Sequence, residues 1–195
     1  MTAESFSTSP VLTWLEIILQ DRFGYLFSLK LQPGRLLYIT LGATTNSIAM
    51  QIDPDIFTRS DSNLACTQWN AVSEGWQALL NPVLPAPGAH TLPSSLIEKT
   101  ATGYLIHYDI LGLTYWMLSR QEEVGRMDLD EHGRFPATSS HAFKHGYLER
   151  PIVDEWLYIL GQVITRTWPD LKLKKHTFNM KVSHDVDTPS RYAFA

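Results

Sequence analysis

Tyr25-Leu-Phe-Ser-Leu-Lys-Leu-Gln-Pro-Gly-Arg-Leu-Leu-Tyr-Ile-Thr-Leu-Gly-Ala-Thr-Thr-Asn-Ser-Ile-Ala-Met-Gln-Ile52 contains three short apolar runs, 25–31, 35–41 and 46–52. Gln32-Pro33-Gly34 separates the first two and Gly42-Ala43-Thr44-Thr45 the last two. β-branched and aromatic residues broken by Pro and Gly at this spacing predict a three-strand antiparallel meander. Upstream, Ser9 suits a helix N-cap and Pro10 the first helical position. Val11, Trp14, Leu15 and Ile18 recur at helical spacing, and Gly24 can end the helix.

Downstream of the meander the pattern predicts a polar stretch over 53–63 and a helix over 67–80. An ordered loop or extended connector over 81–95 follows, marked by Pro82, Pro85, Pro87 and Pro93. Residues 103–109 read as a strand running into a helix over 110–122, and 123–149 as a long loop. Ile152, Val153, Trp156, Leu157, Leu160, Val163 and Ile164 form the apolar stripe of a further helix, stopped at Trp168-Pro169. His176-Thr-Phe-Asn-Met-Lys-Val-Ser-His184 alternates and reads as a strand. The fold class expected is α/β. A mixed domain over 1–150 has its meander packed by helices 10–23 and 67–80. A connecting helix and linker follow over 151–175, and a new domain opens over 176–195.

The 195 residues carry 16 Lys+Arg against 20 Asp+Glu, a formal charge of −4. That balance gives no general attraction for nucleic acid or for anionic membranes. The single cysteine, Cys66, excludes an internal disulfide and any multi-cysteine zinc site. The N-terminus lacks a positive n-region, and the segment Val11–Leu19 is broken by Thr13 and Glu16 and far short of the roughly 20 residues a membrane span needs. The compartment expected is the cytoplasm.

The chemistry concentrates where the last alternating segment meets His184-Asp185-Val186-Asp187. Asp185 and Asp187 lie on one face if the strand continues. Two carboxylates so placed suit a shared cation, one binding it and the other free as a base. An ordinary Asp-rich turn before Thr188-Pro189 fits the same residues.

Thr177-Phe-Asn-Met-Lys-Val-Ser-His-Asp-Val-Asp-Thr-Pro-Ser-Arg-Tyr192 resembles the first motif of the NodB-type polysaccharide deacetylases, in which a core strand ends in T-F-D-D, T-F-D-V-D or T-H-D-V-D. The stretch 118–160 is similar to the region ahead of that domain in a group of bacterial deacetylase-like proteins. It matches at Arg120, Glu122-Glu123, Gly133-Arg134-Phe135, Arg150-Pro151 and Asp154-Glu155. The resemblance implies that Asp185 is the general base and that Asp187 ligates a divalent metal, usually zinc. It also implies a glycan bearing N-acetyl groups as substrate. The family's two histidine ligands come after this motif, and the chain runs eight residues past Asp187 without them. The expectation is therefore an accessory domain plus the first strand of a truncated deacetylase barrel. It is inactive by itself, binds no metal tightly, and is prone to self-associate through the terminal strand. The rival expectation is a non-catalytic interaction module.

His141 and His145 stand four apart, as zinc-binding pairs do on helices, but they precede the aspartate strand and lack the protease glutamate. They read as part of a turn-rich loop. Asp128–His132 reads as a solvated acidic loop. Arg134 and Arg150 are expected to pin it through Glu122, Glu123 or Asp154. Of the six tryptophans, Trp14, Trp116 and Trp156 fall on apolar helix faces and are expected in the core. Trp69, Trp76 and Trp168 are left open.

Overall fold

The computed structural model describes residues 10–183. Helix α1 (Pro10–Phe23) leads into strands β1 (Phe27–Gln32), β2 (Leu36–Leu41) and β3 (Ser47–Gln51), which form the expected antiparallel meander. Strands β4 (Cys66–Asn70) and β5 (Val83–Pro87) make a separate antiparallel pair. Strands β6 (Ile97–Lys99) and β7 (Gly103–Ile106) rejoin the meander, giving the order β1-β2-β3-β7-β6. β7 pairs parallel to β3, so the sheet is mixed. Helices α2 (Ile110–Leu118), α3 (His141–Lys144) and α4 (Ile152–Thr167) complete a mixed α/β fold.

Strand alternation sets the core. Leu29, Leu37, Ile39, Ile48, Met50 and Ile106 are buried on one sheet face, with α1 contributing Leu12, Leu15, Leu19 and Phe23. Burying side chains of this size contributes roughly 1.5–3 kcal/mol each. The first meander turn places Gly34 at φ 88° and Arg35 at φ 61°. Arg35 tolerates this left-handed backbone because its carbonyl accepts from Ile52 N and its guanidinium pairs with Asp55 at 2.6 Å.

The expected helix over 67–80 is absent. Its first residues are β4, and a short 3-10 turn, Val72–Glu74, ends at Gly75 with φ 77°. Trp69, Ala71 and Trp76 are the buried residues, a spacing that fits no helix face. β4 pairs instead with the proline-rich segment, where a connector was expected. Prolines are confined to edge strands because they cannot donate to a ladder. Here Pro85 and Pro87 offer only carbonyls on the outer edge of β5. Trp156 Nε1 donates to Pro85 O at 2.8 Å, Tyr108 Oη to Pro87 O at 2.9 Å, and an Arg150 guanidinium nitrogen to Val83 O at 3.0 Å.

The connector expected at 151–175 is also more than a connector. Trp156, Leu157, Ile159, Leu160, Val163 and Ile164 of α4 are buried in the same core as α1 and the sheet. Five of the six tryptophans are buried, including the three left open, and Trp14 packs half-buried with its ring edge-on to Tyr115. The predicted strand 177–183 has no pairing partner among the described residues. No helix among the described residues is long and apolar enough to cross a membrane.

Candidate functional site

Asp185 and Asp187, the two residues singled out for catalysis and metal binding, lie outside the described residues. The approach to them is described. Phe178, Met180 and Val182 are 88%, 69% and 75% exposed. The alternating apolar face of this segment is therefore bare right up to the aspartate motif.

His141 and His145 do come together, with ring centroids 4.2 Å apart. The role of His141 is structural. Ser140 caps α3 by accepting from Phe143 N, which drives His141 inward to full burial. The His141 Nε2 donates to Leu64 O at 3.0 Å, and its Nδ1 accepts from the Tyr147 hydroxyl. Both ring nitrogens are thus occupied, and the neutral tautomer with the proton on Nε2 is fixed. Burial, with His145 beside it, pulls the His141 pKa down to about 4. Burial likewise pushes the Tyr147 hydroxyl upward and the Cys66 thiol to about 11. A thiol held that far up is a poor nucleophile. Among the described residues no group of three or more His, Cys, Asp or Glu side chains is arranged to hold a metal.

The acidic loop is self-satisfied. Arg126 forks onto Asp128, donates to the buried Ser62 hydroxyl and stacks over the Phe135 ring. That pairing holds the Asp128 carboxyl down at about 2. Asp130 accepts from the backbone of His132 and Arg134 and pairs with the Arg134 guanidinium. The partners expected for Arg150 were wrong. It pairs with Glu155 at 2.6 Å, and Glu155 is 1% exposed. Asp154 takes Arg22 instead, Glu123 takes Arg120, and Glu122 accepts the His141 backbone N–H. The pattern behind these choices is helical phase: Glu155 points into the core from the first turn of α4, and Asp154 points out.

Asp109 escaped the sequence reading. It caps α2, accepting from Gly112 N at 2.6 Å and from Asp53 N at 2.8 Å. Burial lifts its pKa to about 7 against the pull of those two backbone donors. The signal was present as an Asp ahead of the apolar run Ile110–Leu113, a helix-start pattern. A cap that ties α2 to the end of the meander accounts for every bond it makes.

A groove of about 630 Å³ lies between α1, α4 and the segment after α4. Phe23, Leu157, Gly161 and Leu173 are among its lining residues, as are Arg22, Lys174, Lys175 and His176.

The model of a family of unknown function (DUF7033) matches residues 8–169. The chain belongs to that family. The DUF7033 match ends just past Trp168, where α4 stops, so it takes in α4 together with the sheet. The tail after residue 169, with the aspartate motif, lies outside it. No curated protein and no solved structure matches the chain.

Proposed function

We propose that this chain is the N-terminal portion of a metal-dependent carbohydrate N-deacetylase-like hydrolase. The DUF7033 body is its accessory part, and the segment from Thr177 is the first strand of its catalytic domain. In this reading Asp185 is the general base, Asp187 a ligand to a divalent metal such as zinc, and the substrate a glycan carrying N-acetyl groups. The observation that carries it is the bare apolar row of Phe178, Met180 and Val182, placed outside the DUF7033 unit and directly ahead of His184-Asp185-Val186-Asp187. An alternating strand sequence with no sheet among the described residues is a strand whose neighbours are supplied from elsewhere.

Both nitrogens of His141 are engaged and buried, and no group of three or more His, Cys, Asp or Glu side chains among the described residues is arranged to hold a metal. No chemical step is therefore assigned to the body. That the body's most reactive-looking groups serve packing favours a second reading for it alone, a non-catalytic interaction module. The same bare row makes the 195-residue chain prone to associate with itself.

The test is acetate release from N-acetylated chito-oligosaccharides with added zinc. The 195-residue chain is expected to release none. The longest polypeptide encoded in frame with it is expected to turn over and to lose at least about 1,000-fold on Asp185→Asn, the scale of removing a catalytic base. Turnover by the 195-residue chain that disappears on His145→Ala would overturn the assignment of the ligands. An in-frame product indifferent to Asp185→Asn would overturn the reading itself.

A further inference from the structure

A helix leaves its last four carbonyls without intrahelical partners. All four of α1 are satisfied, and three of them by residues some 150 positions downstream. Gly24 N donates to Gln20 O at 2.8 Å, Gly24 lying at φ 82° as a left-handed helix stop. Lys174 Nζ donates to Asp21 O at 3.0 Å, His176 Nε2 to Arg22 O at 2.9 Å, and Lys174 N to Phe23 O at 3.0 Å. Cationic groups at this end also suit the helix dipole.

The segment is held at other points. The Tyr25 hydroxyl accepts from Lys172 N at 3.2 Å and donates to Lys172 O at 3.3 Å. Leu173 packs on the core where Gly161 leaves room: a Cβ at Gly161 would meet Phe23 at 3.1 Å and Leu173 at 3.5 Å. Gly24 leaves the matching space on the other side, its Cβ position being 3.1 Å from Lys174 Cβ. Two glycines and three of the four helix-end carbonyls thus converge on residues 172–176. These residues also line the groove beside α4 from Leu173 onward.

We propose that residues 171–176 are a fixed joint rather than a flexible linker, docked on the C-terminal end of α1 so that the strand sequence beginning at Thr177 leaves the body at one place and in one direction. The joint fixes where anything built on Thr177–Ser183 sits relative to the DUF7033 body. That it thereby positions Asp185 and Asp187 rests on the function proposed above; that the joint is rigid does not. The docking surface is the end of α1, and its partner is a segment of the same chain. The basic and main-chain donors of that segment match the carbonyl-rich helix end.

Amide hydrogen exchange on the 195-residue chain tests this directly. The Lys174 amide is expected to exchange at least about 100-fold more slowly than those of Asn179 and Lys181, because only the first is tied to a helix carbonyl. His176→Ala is expected to speed exchange at Lys174. Lys174→Pro, which removes the N–H bonded to Phe23 O, is expected to speed exchange at Gly24. Neither substitution touches the core, so near-ultraviolet circular dichroism should be unchanged. A Lys174 amide as fast as that of Asn179, or variants that leave both amides unmoved, overturns the joint. In the longer in-frame product, Lys174→Pro should lower acetate release while Asp185→Asn abolishes it. A result in which Asp185→Asn has no effect but Lys174 is protected refutes the deacetylase reading and leaves the joint standing.

Discussion

The segments His141–His145 and Thr177–Ser183 stand at opposite ends of one scale. The first carries the most suggestive metal-binding spacing in the chain. Its leading imidazole is fully buried with both nitrogens bonded to the protein. The second is a plain alternation of apolar and polar residues, and its three large apolar side chains face water. Spacing alone points to chemistry in the first and to structure in the second. Partners reverse that order. A residue type becomes a functional candidate when its capacity for contact is left open, and by that measure the segment after residue 176 stands ahead of His141.

The sharpest way to break this comparison is to find slack where every group is occupied. Glu155 is 1% exposed and held by Arg150. Arg150→Met should destabilise the body by about 3–5 kcal/mol in urea unfolding, the cost of leaving a buried charge unpaired. The double variant Arg150→Met/Glu155→Leu should recover much of that loss. A single-variant loss under about 1 kcal/mol would mean that the ion pair is solvated and that the body is looser than its bonds imply.

His141→Ala comes next. It strands the Tyr147 hydroxyl and Leu64 O and opens a cavity, so a loss of about 3 kcal/mol is expected. If His141 were instead a ligand in waiting, its replacement would cost little stability and added zinc would stabilise the parent chain.

The pH dependence sharpens the same point. His141 titrates near 4 when folded, below its ordinary value of 6.5. The unfolded chain binds more protons between those values, so this contribution is present above pH 6.5 and is lost as pH falls toward 4. Its full size is at most about 3 kcal/mol. Tyr147, Lys144, His145 and Glu122 face it, and none offers a carboxylate to the ring. Asp109 works in the opposite direction. Lifted to about 7 by burial, it holds a proton in the folded state between its ordinary 3.8 and 7, so its contribution is present in acid and fades as pH rises through that window. Urea midpoints at pH 7, 5.5 and 4 should therefore fall less in the parent than in Asp109→Asn, where His141 acts alone. Identical slopes in the two would show that Asp109 stays ionised throughout, held by its two backbone donors.

How much of this was open to a reader of the sequence depends on how local the cause is. The meander and α1 were legible because alternation, the Pro33-Gly34 turn, Pro10 and Gly24 are all local signals. The β4–β5 pair was not. Whether Val83–Pro87 can be a strand is decided by Arg150, Trp156 and Tyr108, which supply donors to the edge that the prolines leave with carbonyls only. The parallel pairing of β3 with β7 spans a long insertion and leaves no local mark. Among the site residues, the sequence offered His141 and Arg150 as chemistry-bearing types, but their partners, Leu64, Tyr147 and Glu155, follow from tertiary placement alone. The resemblance at Asp185 and Asp187 rests on a contiguous stretch of sequence, and those two residues lie outside the described ones.

The smallest expected effect on stability is at the other end of the comparison. Phe178, Met180 and Val182 bury almost nothing, so replacing all three with serine should leave the unfolding free energy of the body within about 0.5 kcal/mol, as for ordinary surface substitutions. The same triple change should alter association, because a row of large apolar side chains on an unpaired segment is what drives chains together. Sedimentation velocity over a range of concentrations should therefore show the parent chain associating and the triple variant remaining monomeric, with superimposable melting curves. The two readouts separate the possible outcomes. Lost stability would mean that the row packs on the body and belongs to it. Association that survives the change would move the sticky surface elsewhere, to exposed residues such as Met127, 87% accessible in the long loop. Only unchanged stability with abolished association leaves Thr177–Ser183 as a strand sequence that the body presents and does not use.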